Sequence, residues 1–332
     1  MKLLITGSAG YIGAVVTLQA LLEGHHVTGV DALWYDNFSA VPRHPNHKFL
    51  HTDIRSVAEA ELRGHDAVLH FAGFSNDPTA DASPLLNQEV NVDATEELAI
   101  RAINAGVKHF TFASSASIYD GVRDSVWACE TDRVAPIGNY SVSKYDAELA
   151  LKRLTTFGWY LTVFRQGTVY GTSPRMRFDL VVNAMIRDAI VNKKITVHRP
   201  GTQRRPLTSV PEVARAHLWA ITRPQPEPTA LFNVVGTNVD IKGLANTVVH
   251  TLVRETGIAS EVVYGIPPGR VRDYAVSGGA LRDACAVWRR DALQHHIGKI
   301  GRWVKTKYDL GEDLYLPQYE NIAMLKTKGR VA

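Results

Sequence analysis

The chain has 332 residues, of which 45% are apolar and 21% are charged, and this is ordinary for a globular protein with one large domain or two smaller ones. Its net charge of +4 comes without a dense run of lysine and arginine, which argues against nucleic-acid binding. No apolar stretch approaches the roughly 18 residues that a membrane span requires.

Two cysteines, Cys129 and Cys285, are too few for a disulfide framework or a thiolate metal site. Met1 leads directly into the first predicted strand, so we expect no leader sequence. Together these observations predict a cytoplasmic protein with no bound metal, no membrane partner and no nucleic-acid partner.

The first thirteen residues, MKLLITGSAGYIG, organise the rest of the chain. An apolar run at 3–6 predicts a strand, glycines follow at 7, 10 and 13, and a helical apolar pattern begins at Ile12. Such a turn presents the free amides and the positive end of a helix to phosphate oxygens. An ordinary strand-to-helix turn is the alternative, because three glycines alone are weak evidence of a dinucleotide site.

The second predicted strand, residues 26–30, ends in Asp31. An acidic side chain there accepts hydrogen bonds from the adenosine ribose hydroxyls and repels a 2′-phosphate. This favours NAD over NADP as the cofactor, although an aspartate at a strand end also caps turns.

Short apolar runs then alternate with longer helical patterns. Further strands are predicted at 48–52, 67–71, 109–113 and 160–164, and a helix at 84–105 has Ser83 as N-cap. This alternation predicts an α/β fold with a doubly wound parallel sheet, whose ligands lie beyond the carboxyl ends of the strands.

Two of these strand ends carry suitable residues. Asp53 and Ile54 follow the third strand, where the carboxylate would hold an adenine amino group and the isoleucine would pack on the ring. Ala72 and Gly73 follow the fourth strand. A turn aspartate is the alternative interpretation of Asp53.

The fifth strand leads into Ser115, and Tyr140 and Lys144 follow four residues apart in a helical run. Residues at this spacing lie on one helix face. A phenol is a poor base at neutral pH, but a nearby ammonium stabilises its phenolate. The serine hydroxyl would hold the reacting oxygen. A solvated helix surface is the alternative for the Tyr-x-x-x-Lys pair alone.

An ordered set of motifs in this chain resembles the extended short-chain dehydrogenase/reductases. In chain order the motifs are TGSAGYIG at 6–13, Asp31, DI at 53–54, HFAG at 70–73, Asn91, SSASIY at 114–119, YSVSK at 140–144 and FRQGTVYG at 164–171. The resemblance is to their nucleotide-sugar epimerase/dehydratase branch, which includes UDP-glucose 4-epimerase-like enzymes. It implies a Rossmann domain at 1–170 that the chain rejoins at 208–235. Residues 171–207 and 236–332 would form a smaller substrate-binding domain.

The resemblance also implies the site residues. Ser115, Tyr140 and Lys144 would be catalytic, with Lys144 also holding the nicotinamide ribose. The residues expected to bind NAD are Gly7, Gly10, Tyr11, Ile12, Gly13, Asp31, Asp53, Ile54, Phe71, Ala72, Gly73, Asn91, Tyr140 and Lys144.

The expected partner is a nucleoside-diphosphate sugar. Guanidinium groups suit diphosphates because they donate to two oxygens at once. The resemblance assigns this task to Asn183, Arg205 and Arg272, together with Ser115 at the sugar, and Arg204 is the alternative to Arg205. Exposed solubilising charge is the other interpretation of any one arginine. The resemblance further implies a homodimer through helices at 85–105 and 143–157.

Two departures from the family pattern bear on the activity. Ala116 and Ser117 stand where dehydratases of the family carry Asp-Glu, so an acid and base for eliminating water are missing. Ser209 and Glu212 replace a common His and Asp. We therefore predict an NAD-dependent epimerase acting at C4 through a transient 4-keto intermediate. The alternatives are an NAD(P)H-dependent 4-keto reductase and, in another class, a non-catalytic dinucleotide sensor.

Overall fold

A computed structural model describes residues 1–122, 127–155, 158–223, 227–267, 269–286 and 288–331. The predicted helix at 143–157 therefore extends two residues beyond a described range, and part of the predicted segment at 208–235 also lies outside the described residues. None of the described helices combines the length and the apolarity needed to cross a bilayer.

The described strands form one large and two small sheets. They are β1 (Lys2–Thr6), β2 (His26–Asp31), β3 (His47–His51), β4 (Ala67–His70), β5 (His109–Ser115), β6 (Tyr160–Gln166), β7 (Thr168–Tyr170), β8 (Lys194–His198), β9 (Arg204–Ser209), β10 (Thr229–Val234), β11 (Thr237–Asp240) and β12 (Glu261–Gly265). The large sheet has the order β10-β6-β5-β4-β1-β2-β3, and every pairing in it is parallel. The predicted doubly wound parallel sheet is thus confirmed.

Helices cover both faces of this sheet and surround the smaller sheets. They are α1 (Gly13–Leu22), α2 (Glu59–Leu62), α3 (Asp77–Ala82), α4 (Pro84–Gln88), α5 (Ala94–Asn104), α6 (Asn139–Leu154), α7 (Val181–Val191), α8 (Val210–Thr222), α9 (Ile241–Thr256), α10 (Gly279–Ala284), α11 (Leu293–Asp309) and α12 (Asn321–Thr327).

Alternate residues of the strands supply the two core layers, because successive side chains of a strand point to opposite faces. On one face Leu4 and Phe110 pack with side chains of α5 and α6. On the other face Leu3 and Ile5 pack with side chains of α1 and α8. The sheet is therefore buried on both sides, and its accessible edge is the row of strand ends.

The helix predicted at 84–105 is one helical stretch with an irregular centre. Residues Glu89–Asp93 between α4 and α5 form a π-helical turn, which adds a residue to the turn and turns Asn91 inward. Ser83 lies at the N-cap position, but its side chain makes no capping hydrogen bond. The sequence pattern predicted the helix and missed this local widening.

A smaller region follows β6. β7, β9 and β11 form a three-stranded sheet, and β8 and β12 form a parallel pair. Helices α7, α9 and α11 pack against one another beside them. In between, α8 and β10 return to the large sheet, where β10 pairs with β6. The two regions consequently meet along the carboxyl ends of the parallel strands.

Candidate active site

The glycine turn after β1 has a geometry that other residues would disturb. Gly7 has a φ of +67°, in the left-handed region, and a Cβ there would lie 2.7 Å from the backbone nitrogen of Ala72. A Cβ on Gly13 would lie 2.0 Å from the carbonyl oxygen of Gly7, so α1 begins directly against the turn. This cradle lets a ligand approach the backbone and the first amides of α1.

A cleft of about 820 Å³, counting its open mouth, runs from this turn along the strand ends. Many residues predicted to bind cofactor line it: Gly7, Gly10, Tyr11, Ile12, Gly13, Asp31, Asp53, Ile54, Phe71, Ala72 and Gly73. Their convergence on one elongated groove is what a dinucleotide site requires.

Asp31 lies at the end of β2, where its carboxylate is held by the backbone. Oδ2 accepts a hydrogen bond from the amide of Ala9 at 3.0 Å, and Oδ1 accepts one from Leu33 at 2.8 Å. Burial raises the pKa of Asp31, while these two hydrogen bonds oppose that increase. Its contact with a ribose stays a prediction.

Asp53 is engaged by a neighbour. Arg55 donates to both carboxylate oxygens, from Nε and Nη2, each at 3.0 Å. Burial raises the pKa of Asp53, but the hydrogen bonds from Arg55 outweigh that effect and the pKa lies below its usual value. An adenine contact by Asp53 stays a prediction, and it requires the carboxylate to be shared with Arg55.

Sequence reasoning missed two arginines of this cleft. Arg175 is buried, and among the described residues its Nε and Nη2 have no hydrogen-bond partner. Burial lowers its pKa to about 10, and its guanidinium carbon lies 4.5 Å from the ring centre of Tyr35. Arg177 also lines the cleft but forms a bidentate pair with Asp179, at 2.8 Å for each bond.

The chemical groups that line the cleft therefore suit a dinucleotide. The cleft combines a close turn built from glycines with the buried cation of Arg175, whose Nε and Nη2 have no acceptor among the described residues. Phosphate oxygens are acceptors of that kind. The signal that would have found Arg175 is its position in SPRMRFDL after β7, a segment that the resemblance connected with the substrate instead.

Tyr140 and Lys144 lie one turn apart on α6, beside the end of β5. Burial raises the pKa of Tyr140, and hydrogen bonding with the Ser115 hydroxyl lowers it. Asp77 raises it further, whereas the charges of Arg177 and Arg272 lower it. The structure thus brings Ser115 to the phenol and adds two cations that the sequence did not connect with it.

Lys144 is only 5% exposed, and its Nζ lies 5.0 Å from the ring centre of Phe112. Burial lowers its pKa to about 8, and the nearby Glu148 limits that decrease. Nζ also lies 3.8 Å from the point where a Cβ on Gly73 would stand. Gly73 lines the cleft and Lys144 does not, so the ammonium lies next to a lining residue.

Asn91 connects these parts through the π-helical turn. Its Oδ1 accepts from the amide of Phe74 at 2.7 Å, and its Nδ2 donates to the Phe74 carbonyl at 3.1 Å and to Ser143 Oγ at 3.2 Å. The side chain fixes the loop after β4 against the residue before Lys144. These contacts fit a positioning residue, and direct cofactor binding by Asn91 stays a prediction.

The predicted substrate residues divide into two groups. Asn183 is fully buried, where its Nδ2 donates to the Tyr11 hydroxyl at 3.0 Å and to the Arg177 carbonyl at 2.9 Å. Its amide therefore supports the wall of the cofactor cleft in this structure, and its contact with substrate stays a prediction.

Arg205 and Arg272 are in contact with each other, and the charge of Arg272 lowers the pKa of Tyr140, which burial raises. Arg205 donates to the Arg272 carbonyl, and its guanidinium carbon lies 5.8 Å from the ring centre of Tyr274. Arg204, the alternative, pairs with the exposed Asp273 at 3.1 Å. The charges of Arg205 and Arg272 both lower the pKa of Tyr274, which burial raises, and their contact with a diphosphate stays a prediction.

Two carboxylates that the sequence analysis did not single out hold Arg272. Its Nη2 lies 2.5 Å from Asp77, and its Nε lies 3.2 Å from the buried Asp120. Arg270 also pairs with Asp120, at 2.9 Å. An acidic residue five positions after Ser115 was the only sequence signal for this cluster.

Comparison with known proteins identifies a matching family model and several relatives of this chain. The model of the NAD dependent epimerase/dehydratase family matches residues 3–236. A dTDP-D-glucose 4,6-dehydratase of Mus musculus is 28% identical over 273 residues, covering 78% of this chain and 75% of its own. A putative UDP-glucose 4-epimerase of Methanocaldococcus jannaschii is 23% identical and covers 92% and 98%.

Among solved structures, UDP-glucose 4-epimerase of Thermotoga maritima with UDP-glucose matches with a TM-score of 0.80. The two sequences are 24% identical, and the match covers 93% of this chain and 100% of that one. At this identity the likeness shows the fold.

Proposed function

Because the chain belongs to the NAD-dependent epimerase/dehydratase family of extended short-chain dehydrogenase/reductases, whose cofactor is NAD, we propose that it epimerises a nucleoside-diphosphate sugar. The proposed reaction is at C4, through a transient 4-keto sugar. The proposal rests on Tyr140 and Lys144 lying one turn apart on α6, with Ser115 hydrogen-bonded to the phenol and Lys144 Nζ 3.8 Å from the position of a Cβ on Gly73, which lines the cleft.

Each of the three side chains has a separate role in the proposed reaction. Tyr140 takes the proton of the C4 hydroxyl and later returns it, and Ser115 holds the same oxygen by hydrogen bonding. Lys144 provides a positive charge that favours the phenolate form of Tyr140. Bound NAD supplies the redox chemistry, as the acceptor and donor of hydride.

Arg205 and Arg272 are proposed to bind the diphosphate. A keto sugar must rotate about a fixed anchor if hydride is to return to its opposite face, and a diphosphate bound by guanidinium groups is such an anchor. Both arginines lie within electrostatic reach of Tyr274, whose pKa also responds to Tyr140. The anchor and the proposed base therefore belong to the same region.

The residues after β5 support epimerisation over dehydration. Ala116 and Ser117 are buried, and the Ser117 hydroxyl accepts hydrogen bonds from Ser115 and Ser141, each at 2.9 Å. Eliminating water from the sugar needs an acid and a base beside C5 and C6, and neither of these two side chains ionises.

We also propose that two protomers associate through α5 and α6. Apolar side chains on these helices are 39–42% exposed in the single chain: Ile100, Val142 and Leu149. Pairing of these faces would remove them from water. We expect the protein to sediment as a dimer at micromolar concentration. Replacement of Ile100 and Leu149 by glutamate is expected to give monomers. A parent protein that sediments as a monomer would refute this assembly.

The function is tested by incubating the purified protein separately with UDP-, dTDP-, GDP- and CDP-sugars and identifying the products by NMR. We expect one sugar nucleotide to be converted to its C4 epimer with no net consumption of NAD. Stoichiometric consumption of NADH with a keto sugar would instead favour the reductase. Release of a 6-deoxy-4-keto product would favour dehydration.

Tyr140→Phe removes only the hydroxyl, and we expect turnover to fall by about 10²–10⁴-fold, the usual contribution of a general acid–base group. NAD retention should not change. Tyr308→Phe is the matched control, because Tyr308 is an exposed residue of α11. Turnover of Tyr140→Phe within a few fold of the parent would contradict the mechanism.

A further inference from the structure

The end of the chain returns to the cofactor cleft. We call residues 317–330 the C-terminal strap; it comprises the turn Pro317–Tyr319, α12 and the residues up to Arg330. Its first part is firmly packed, since Tyr319, Met324 and Leu325 are buried and the Phe178 amide donates to the Tyr319 carbonyl at 2.8 Å.

Asn321, the first residue of α12, lines the cofactor cleft and is only 2% exposed. Its Nδ2 donates to Ser75 Oγ at 2.8 Å. Its Oδ1 is buried and has no hydrogen-bond partner within the described part of the chain. A buried carbonyl oxygen without a donor is unfavourable, so this atom indicates a missing ligand group.

The hydroxyl group of Ser75 also has an unused hydrogen-bonding capacity. Its hydroxyl oxygen lies 2.9 Å from Nη1 of Arg177 and 2.8 Å from Nδ2 of Asn321, and both neighbours are donors. The hydroxyl hydrogen of Ser75 is therefore available to an acceptor in the cleft. Arg175 adds N–H groups without an acceptor among the described residues. Among the described residues, one wall of the cleft thus carries donors without an acceptor, on Ser75 and Arg175, and an acceptor without a donor, Asn321 Oδ1.

The far end of the strap reaches the loop after β2. Lys328 Nζ lies 3.1 Å from Asp36, and the guanidinium carbon of Arg330 lies 5.3 Å from the ring centre of Trp34. Trp34 itself lines the cofactor cleft, together with Asp31. The two contacts made by Lys328 and Arg330 lie at the surface. They join the end of the strap to the loop after β2, which carries the cleft residue Trp34.

We propose that the C-terminal strap is part of the cofactor site, with Asn321 as a binding residue and Lys328 and Arg330 as a latch that slows the departure of NAD. This inference rests on the proposed function, since it requires NAD as the bound cofactor. A carbonyl oxygen cannot bind phosphate, whereas the ribose hydroxyls of a dinucleotide are donors. Asn321 Oδ1 therefore accepts from a ribose hydroxyl, and the N–H groups of Arg175 and the Ser75 hydroxyl serve the diphosphate.

A latch suits the proposed chemistry. An epimerase regenerates its NAD in every turnover, so nothing is gained by releasing the cofactor, and each release interrupts the cycle. An exchangeable cofactor would instead suit a reductase, which must replace NAD with NADH each time. Slow dissociation of NAD is the measurable property that the strap is expected to give.

The experiment uses the full-length protein in three variants. Asn321→Leu removes the lone acceptor at similar size. Lys328→Ala with Arg330→Ala removes the latch, and Arg302→Ala with Lys305→Ala is its matched control, because it removes the same charges from exposed ion pairs of α11. For each variant we measure the amount of NAD per protomer after desalting, the Kd for NAD and the dissociation rate of NAD, which is followed by tryptophan fluorescence. Thermal unfolding checks that each variant is folded.

We expect Asn321→Leu to raise the Kd for NAD about tenfold, the effect of losing one hydrogen bond. The latch variant should dissociate NAD about three to ten times faster, and the control should match the parent. If Asn321→Leu does not fold, the latch variant decides the question, because its changes are at the surface. If the folded variants bind and release NAD with the same Kd and dissociation rate as the parent, the proposed role of the strap is overturned, while turnover and the proposed function stay intact. A parent that binds no NAD would overturn both.

Discussion

Arg272 Nε lies 3.2 Å from Asp120 Oδ2, so the arginine proposed to bind the substrate's diphosphate already has a carboxylate partner. Asp120 is buried, and its other oxygen has no hydrogen-bond partner among the described residues. Burial raises the pKa of Asp120, and Arg272 and Arg270 oppose that increase. A diphosphate that binds Arg272 must compete with this carboxylate.

Asp120→Asn should therefore lower the KM for the nucleotide sugar, by about three- to tenfold, because the neutral amide holds Arg272 less strongly. Steady-state kinetics on the sugar identified in the substrate screen measures this effect. Asp309→Asn, which removes a carboxylate from an exposed ion pair with Lys305 on α11, is the control and should leave KM unchanged. An increase in KM would mean that Asp120 positions Arg272 and does not compete for it.

Turnover should depend on pH through Lys144. Burial lowers the pKa of its ammonium to about 8, below the usual value near 10.4, so the charged form predominates below pH 8 and is lost as the pH rises through that value. Turnover should fall about tenfold per pH unit above that point. Retained NAD is measured at each pH, and activity should return at pH 7. A rate that stays constant to about pH 9.5 would show that the Lys144 charge does not limit catalysis.

Gly13→Ala should disrupt the cofactor turn. The new Cβ would stand 2.0 Å from the Gly7 carbonyl oxygen, so the turn and α1 must move apart. Overpacking of this kind costs about 1–3 kcal/mol, and NAD affinity should fall at least tenfold, as titration calorimetry would detect. In Gly269→Ala no described atom lies within 4 Å of the added Cβ, and NAD affinity should match the parent.

Behind the proposed catalytic residues, Glu148 and Arg165 form a buried ion pair, with Nη2 to Oε2 at 2.8 Å and Nε to Oε1 at 3.0 Å. Ser114 also donates to Glu148, at 2.6 Å. Glu148→Gln leaves the guanidinium of Arg165 without its counter-charge, so the free energy of unfolding in urea should drop by about 3–5 kcal/mol.

The matched control is Glu97→Gln. Glu97 lies on the exposed side of α5, 4.0 Å from Arg101, and removal of an exposed pair should change the free energy of unfolding by less than about 0.5 kcal/mol. Equal effects of the two substitutions would show that the buried pair contributes nothing beyond a surface pair.

The sequence predicted well what local chemistry determines. The glycine turn, Asp31 and the run of strands all follow from residues close together in the chain, and the structure places them along one cleft. Ser209 and Glu212, which depart from the family pattern, are also explained locally: Ser209 Oγ accepts from the Glu212 amide at 3.2 Å while Glu212 accepts from the Ser209 amide at 2.7 Å. They form the capping box that begins α8.

What the sequence did not predict depends on contacts between distant segments. Arg175 and Arg177 follow β7, in the range 171–207 that was expected to belong to the substrate-binding domain. Packing against Tyr11 instead places their loop beside the glycine turn, where Ser173 Oγ donates to the Tyr11 carbonyl at 2.7 Å. Asn321 lies 246 positions from its partner Ser75. No periodicity or spacing connects such residues, because only the completed fold brings them together.

The contact between Ser75 and Asn321 also makes the cofactor groove a joint product of residues from distant parts of the sequence. Ser75 follows β4, whereas Asn321 begins α12, 246 positions later. Truncation before Asn321 would therefore remove one lining side chain of the groove and leave the Ser75 hydroxyl without that donor.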